Sequence, residues 1–192
     1  MKLTTLIKLM GIMLTFAVIA CGPSTEGEKK KWESHKKNAA TYKTEYAGMA
    51  TVIDTNLKAA ETAMTEALKV KDEEKKAKAM QSANGIAKKV VGRISEIKSK
   101  ISGLESDIKK LNKLKLPASK AGTRDNAVSS GFETISSVNK ALASAAPKTV
   151  EEAEAVLKEQ VDALISANSS VDRAYNAVKP KKKKKKKKRK KN

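Results

Sequence analysis

Between Ala87 and Leu111 the apolar residues Ala87, Val90, Ile94, Ile97, Ile101, Leu104, Ile108 and Leu111 return at alternating intervals of three and four. This heptad spacing draws one continuous apolar seam down the side of a helix, and such a seam has to be buried. The composition points the same way. Lys, Glu, Ala and Ser are abundant, aromatic residues make up 3% of the chain and there are 4 prolines, a profile of long helices rather than sheets. The expected fold class is all-α.

Caps and prolines divide the chain. Thr25 followed by Glu28 fits a capping box that opens a first helix. From there Trp32, Ala39, Tyr42, Tyr46, Met49, Ile53, Ala60, Met64 and Ala67 keep mostly to one face, so this helix is expected to reach Val70. Lys69 and Lys71 suit a helix C-terminus, while Asp72, Glu73 and Glu74 suit an N-cap and first turn, which places a tight hairpin at Lys71-Asp72. A single continuous helix is the alternative there. The second helix carries the seam and stops at Pro117, whose ring pushes Leu116 out of the helical region. Gly85 and Gly92 lie one heptad apart and off the seam, where each costs about 1 kcal/mol relative to Ala, and they read as marks of a close helix crossing.

After a loop from Ala118 to Gly122, Thr123 or Asp125 caps a shorter helix with Val128, Phe132, Ile135, Val138 and Leu142 on one face, ended by Pro147. Thr149 and Glu152 open the last helix, which buries Ala153, Leu157, Val161, Leu164, Val171, Tyr175 and Val178 and stops before Pro180. The expected architecture is an elongated bundle of four amphipathic helices, two long and two shorter, over residues 26–178. A disordered lysine-rich tail is expected over residues 179–192.

The amino end reads as a leader. Lys2 and Lys8 flank the start of an apolar run, Leu9 to Ile19, too short for a membrane-spanning helix of about 20 residues but the right size for a secretory signal. It ends in Val18-Ile19-Ala20-Cys21, which resembles the bacterial lipobox: a small residue directly precedes the cysteine and a β-branched residue stands three positions before it. The resemblance implies that residues 1–20 are removed, that Cys21 becomes the acylated first residue, and that residues 21–25 tether it to the fold. The alternative is an ordinary signal peptide followed by a free thiol. Cys21 is the only cysteine, so it has no intramolecular disulfide partner. At about 0.8 kcal/mol per buried CH2 one acyl chain holds only reversibly, whereas two or three hold firmly. In the sorting rules of such lipoproteins an Asp after the cysteine means retention at the inner membrane; Gly22 leans towards the outer membrane or the cell surface.

Little in the body suggests catalysis. His35 is the only histidine and no thiol stays free after lipidation, so neither a metal cluster nor a Cys–His nucleophile can be assembled. Glu73-Glu74 and Glu151-Glu152-Glu154 stand in first turns, where the helix dipole accounts for them, and Ser129-Ser130-Gly131 lacks a partner base. A non-enzymatic protein without cofactor or metal is expected.

Charge carries the functional signal. Of the net +20, two positive charges are Lys2 and Lys8 and twelve lie between Lys179 and Lys191, which leaves six for the body. The candidate polyanion-binding residues are Lys181, Lys182, Lys183, Lys184, Lys185, Lys186, Lys187, Lys188, Arg189, Lys190 and Lys191. Such a block stays extended and solvated, creates a potential of several kT and binds polyanions with release of counterions. The bland alternative is a solubilising end. Expected partners are the membrane, through the N-terminal lipid, and a polyanion: glycosaminoglycan, lipopolysaccharide or cell wall. No aromatic residue interleaves the lysines, so no specific nucleic acid is expected. Lys88-Lys89-Arg93 is a second basic patch, as readily solvated surface as a docking site.

The lipobox, the Ala- and Lys-rich helical body, the stretch Ala146-Pro147-Lys148-Thr149-Val150-Glu151-Glu152-Ala153-Glu154 and the lysine-rich end together resemble the decorin-binding adhesins of Lyme-disease spirochaetes. The match covers the N-terminus and roughly the last 45 residues; a second cysteine is missing and the tail is nearly pure lysine. The resemblance implies a helical surface lipoprotein that binds glycosaminoglycan chains through C-terminal lysines. Two further readings fit the same sequence: an envelope protein whose helical rod spaces the lipid from a tail docked on cell wall or an anionic membrane, and a surface protein that binds a host plasma protein through its bundle face. All three require the anchor. Metabolic labelling with a fatty acid should tag the wild-type chain and leave Cys21→Ser as an unlabelled precursor; label on the Ser variant would refute lipidation at this position.

Overall fold

A computed structural model describes residues 22–179; the leader, Cys21 and everything from Pro180 onward lie outside the described residues. Every described element is helical, as expected. In order they are α1 (Thr25–Glu45), a 3-10 helix (Ala47–Met49), α2 (Ala50–Leu68), α3 (Glu73–Ala87), a π-helical turn (Lys88–Gly92), α4 (Arg93–Asn112), α5 (Ala118–Ser144) and α6 (Val150–Val178). They form two compact units, one of residues 22–92 with Pro147–Ala153, the other of Arg93–Ala146 with residues 154–179.

The first expected helix is in fact two, so the described chain does not form the expected set of four. At Tyr46 the backbone leaves the helical region, with φ −125° and ψ 69°, and Ala47, Gly48 and Met49 turn the chain into α2. Periodicity hides this corner because Tyr42, Tyr46, Met49 and Ile53 keep the three-and-four spacing straight through it and are all buried. Lys43 Nζ, 2.8 Å from Asp54 Oδ1, closes the corner from outside. The start of α1 also differs from expectation. Ser24 is the cap, its hydroxyl accepting from the Gly27 N–H at 3.1 Å, and Glu28 is turned into the core instead of completing a box with Thr25. The hairpin at Lys71-Asp72 is present: α2 ends at Leu68, and the Asp72 carboxylate accepts from the Lys75 N–H at 2.8 Å to open α3.

Small residues let the helices of this unit approach closely. Ala60 and Ala67 of α2 and Ala83 and Ala87 of α3 share one cluster, and Trp32, Met64 and Met80 fill the space their short side chains leave. The π-turn follows from the same pattern. Met80, Ala87 and Val91 keep one inward register and Ala83, Ala87 and Val90 another; the wider turn lets sequence neighbours Val90 and Val91 both be fully buried. Buried Asn56 of α2 donates Nδ2 to the Ile86 carbonyl at 2.9 Å, where the regular ladder gives way. Gly85 faces open space, so the close approach expected at two glycines occurs only at Gly92, where His35 Cε1 lies 3.6 Å from the position of a Cβ.

In the second unit Ile94, Ile97, Leu104, Ile108 and Leu111 of α4 are buried, but Ile101 is only half-buried, against the strict seam. The loop expected at Ala118 to Gly122 is helix. Pro117, with φ −65°, stands directly before α5, its carbonyl accepts from the Lys120 N–H at 2.9 Å, and Thr123 and Asp125 lie inside the helix rather than capping it. The inward face of α5 is set by Gly131, not Phe132. A Cβ on Gly131 would stand 2.6 Å from Ile108 Cδ1, so α4 comes close here, and Phe132 is turned outward at 47% exposure. On α6 Ala174 replaces Tyr175 as the buried residue. The expected cap of α6 forms: Thr149 Oγ1 accepts from the Glu152 N–H at 3.1 Å, while Glu152 Oε2 takes the Lys148 N–H at 2.7 Å.

Two substitutions on α5 separate these faces. Leu142→Ala should cost about 2–5 kcal/mol of unfolding free energy in urea, and Phe132→Ala should stay within about 0.5 kcal/mol. Equal losses would return Phe132 to the core.

Candidate functional site

Cys21 and the residues Lys181 to Arg189, Lys190 and Lys191 lie outside the described residues, so the structure shows only where the chain meets them. At the amino end two residues, Gly22 and Pro23, separate Cys21 from the Ser24 cap. At the carboxyl end the Lys179 N–H still bonds the Tyr175 carbonyl at 2.9 Å and the Lys179 ammonium lies 5.7 Å from the centre of the Tyr175 ring. Lys120 of α5 reaches across to donate to the Ala177 carbonyl at 3.1 Å, so the last turn of α6 has both a donor and positive charge at its negative end.

Within the body, many of the positive charges are answered locally. Lys30 pairs with Glu26, Lys36 with Glu33, Lys69 with Glu66, Lys76 with Glu73, Lys78 with Glu74 and Lys110 with Asp107, each one helical turn away. Exposed pairs of this kind add well under about 1 kcal/mol each to stability, but they cancel the field that a polyanion would feel. Of the second basic patch, Lys88 and Lys89 are exposed, whereas Arg93 is half-buried with Nη1 2.7 Å from Glu96 Oε2.

The structure adds a polar cluster that sequence reading missed. The Glu28 side chain is 98% buried by α3, from which Asn84 Nδ2 donates to Glu28 Oε2 at 2.8 Å and to the Glu28 carbonyl at 3.0 Å. Lys31 Nζ sits 2.7 Å from the other carboxylate oxygen. Burial opposes the charge on Glu28, but the bonds from Lys31 and Asn84 and the positive potential of Lys31 and His35 outweigh it and hold the carboxyl below its ordinary range. His35, one heptad along the same face, is half-buried. Burial first, then Lys31 and Lys88, lower its proton affinity, and Glu28 partly restores it. A signal for this cluster was present: Glu28, Trp32, His35, Ala39 and Tyr42 follow one three-and-four stripe, and Met80, Asn84 and Ala87 another.

Among the described residues no group of three His, Cys, Asp or Glu side chains could hold a metal ion, and no helix is long and apolar enough to cross a membrane. In the second unit an open groove of about 400 Å³ has Leu104 and Leu164 in its walls, with Ser99, Lys100, Asp107 and Asn168 beside them. No protein-family model, no curated protein and no solved structure matches the chain.

The cluster makes stability depend on pH in two windows. The unfolded chain takes up the His35 proton at pH 6.5 and the folded chain only below that, so stability should begin to fall as pH drops through 6.5. The unfolded Glu28 takes its proton at 4.5 and the folded one lower, so a second loss should begin as pH drops through 4.5. In thermal melts His35→Asn should flatten the upper window, whereas Glu28→Gln should flatten the lower window and deepen the upper one, because Glu28 partly restores the proton affinity of His35; unchanged profiles would mean that neither group titrates differently on folding.

Proposed function

We propose that the chain is a lipid-anchored bacterial lipoprotein of the outer membrane or cell surface that acts without catalysis, holding polyanions such as glycosaminoglycans on the lysines from Lys181 to Lys191. The observation that carries this reading is the division of charge. Twelve positive charges with no acidic residue among them occupy Lys179 to Lys191, while the lysines of the body interleave with carboxylates one turn away. A repetitive polyanion offers such a tail many equivalent registers, so the chain gives up little freedom on binding, and affinity is substantial but poorly selective. The lipobox and the family resemblance support the anchor and the choice of sulfated glycans.

Salt dependence tests it. If each contacted sulfate behaves like a phosphate on a single strand, the slope of log affinity against log salt is about −0.7 per contact, so half the tail gives a slope of several units. Heparin binding by the soluble protein should show that slope, and removal of residues 180–192 should abolish most of both affinity and slope. A truncated form that binds as tightly, with the same slope, would place the site in the body.

A further inference from the structure

We infer that Lys31, His35 and Lys88 form a binding site for a single oxyanion, a sulfate or phosphate group, which is completed when His35 takes up a proton. Lys31 and His35 stand one turn apart on the same face of α1. Lys88 is the first residue of the π-turn packed against that face. His35 Cε1 lies 3.6 Å from where a Gly92 Cβ would be, and that same position is 2.7 Å from Lys88 Cγ, so the imidazole edge and the Lys88 stem converge over the bare Gly92 backbone. Any larger residue at 92 would push the Lys88 stem away.

The Lys31 ammonium is held by Glu28, which is itself fixed by Asn84 from α3, and Lys88 carries no ion pair among the described residues. The charged groups that face His35 are Glu28 and Lys31 on its own helix and Lys88 on the π-turn. With His35 neutral, two ammonium groups are offset by one carboxylate. With His35 protonated, three cations face one carboxylate, and an oxyanion relieves their repulsion. Binding and protonation are then linked: the factor by which protonation tightens anion binding equals the factor by which the anion raises the proton affinity of His35. The site is separate from the tail and stands whether or not the tail binds polyanions.

His35 is the only histidine, so its imidazole C–H resonance in the full mature chain reports the titration directly. In chloride the midpoint should lie below the usual histidine value. Sulfate at the same ionic strength should raise it, by about one pH unit for a tenfold preference. Lys88→Gln, an exposed substitution, should raise the midpoint in chloride and remove the response to sulfate. A midpoint that is the same in chloride and sulfate, or a sulfate response undiminished in Lys88→Gln, overturns the proposal. A sulfated disaccharide and glycerol phosphate then distinguish the carriers of the oxyanion: the larger shift identifies the source, and no shift with either also overturns it.

Discussion

The hydrogen bonds from Asn84 to the backbone and side chain of Glu28 set the register between α1 and α3, and much of the first unit depends on them. An alanine-rich interface packs almost equally well in several registers, because small side chains leave shallow ridges. A buried carboxylate that must find its two donors does not slide. Isolated, such a charge would cost several kcal/mol to bury; held by Lys31 and Asn84, it specifies one alignment at little net gain in stability. Asn56 acts likewise between α2 and the mouth of the π-turn, bonding a carbonyl where the helical ladder changes pitch.

What could be read from sequence followed from local chemistry. Thr149 and Glu152 cap α6 as their types demand, Asp72 opens α3, and the prolines at 117 and 147 stand between helices. What could not be read depended on tertiary choice. Tyr42, Tyr46, Met49 and Ile53 present the same spacing to a straight helix and to a corner, so periodicity could not reveal the turn at Ala47 to Met49. Phe132 is the more apolar residue, but α4 comes close at Gly131, and that approach decides which side of α5 faces inward. As a first-turn carboxylate Glu28 suits a cap, but its place on the stripe of Trp32 and Ala39 is the stronger clue.

The candidate functional residues were legible in a different sense. Cys21 and the lysines of the tail announce themselves by type and by local density, and they need no fold to be recognised. The Lys31, His35 and Lys88 trio is the opposite case. Lys31 and His35 are four residues apart, but Lys88 is far from both in the sequence, and only a π-turn beside a glycine brings it to them.

Asn84 is followed by Gly85, whose side faces open space, and this pair gives the first unit a chemical clock. In an Asn-Gly pair the following backbone nitrogen readily attacks the side-chain amide and expels ammonia to give a cyclic succinimide, which water then opens to an aspartate or isoaspartate. Helical backbone and the two bonds to Glu28 keep Asn84 out of that geometry while the unit is folded. Each excursion to an open chain removes the protection, and a converted residue would return with a carboxylate facing the buried carboxylate of Glu28. Ageing would then be one-way: molecules that open often would lose the ability to close, and unfolding would be recorded in the covalent structure.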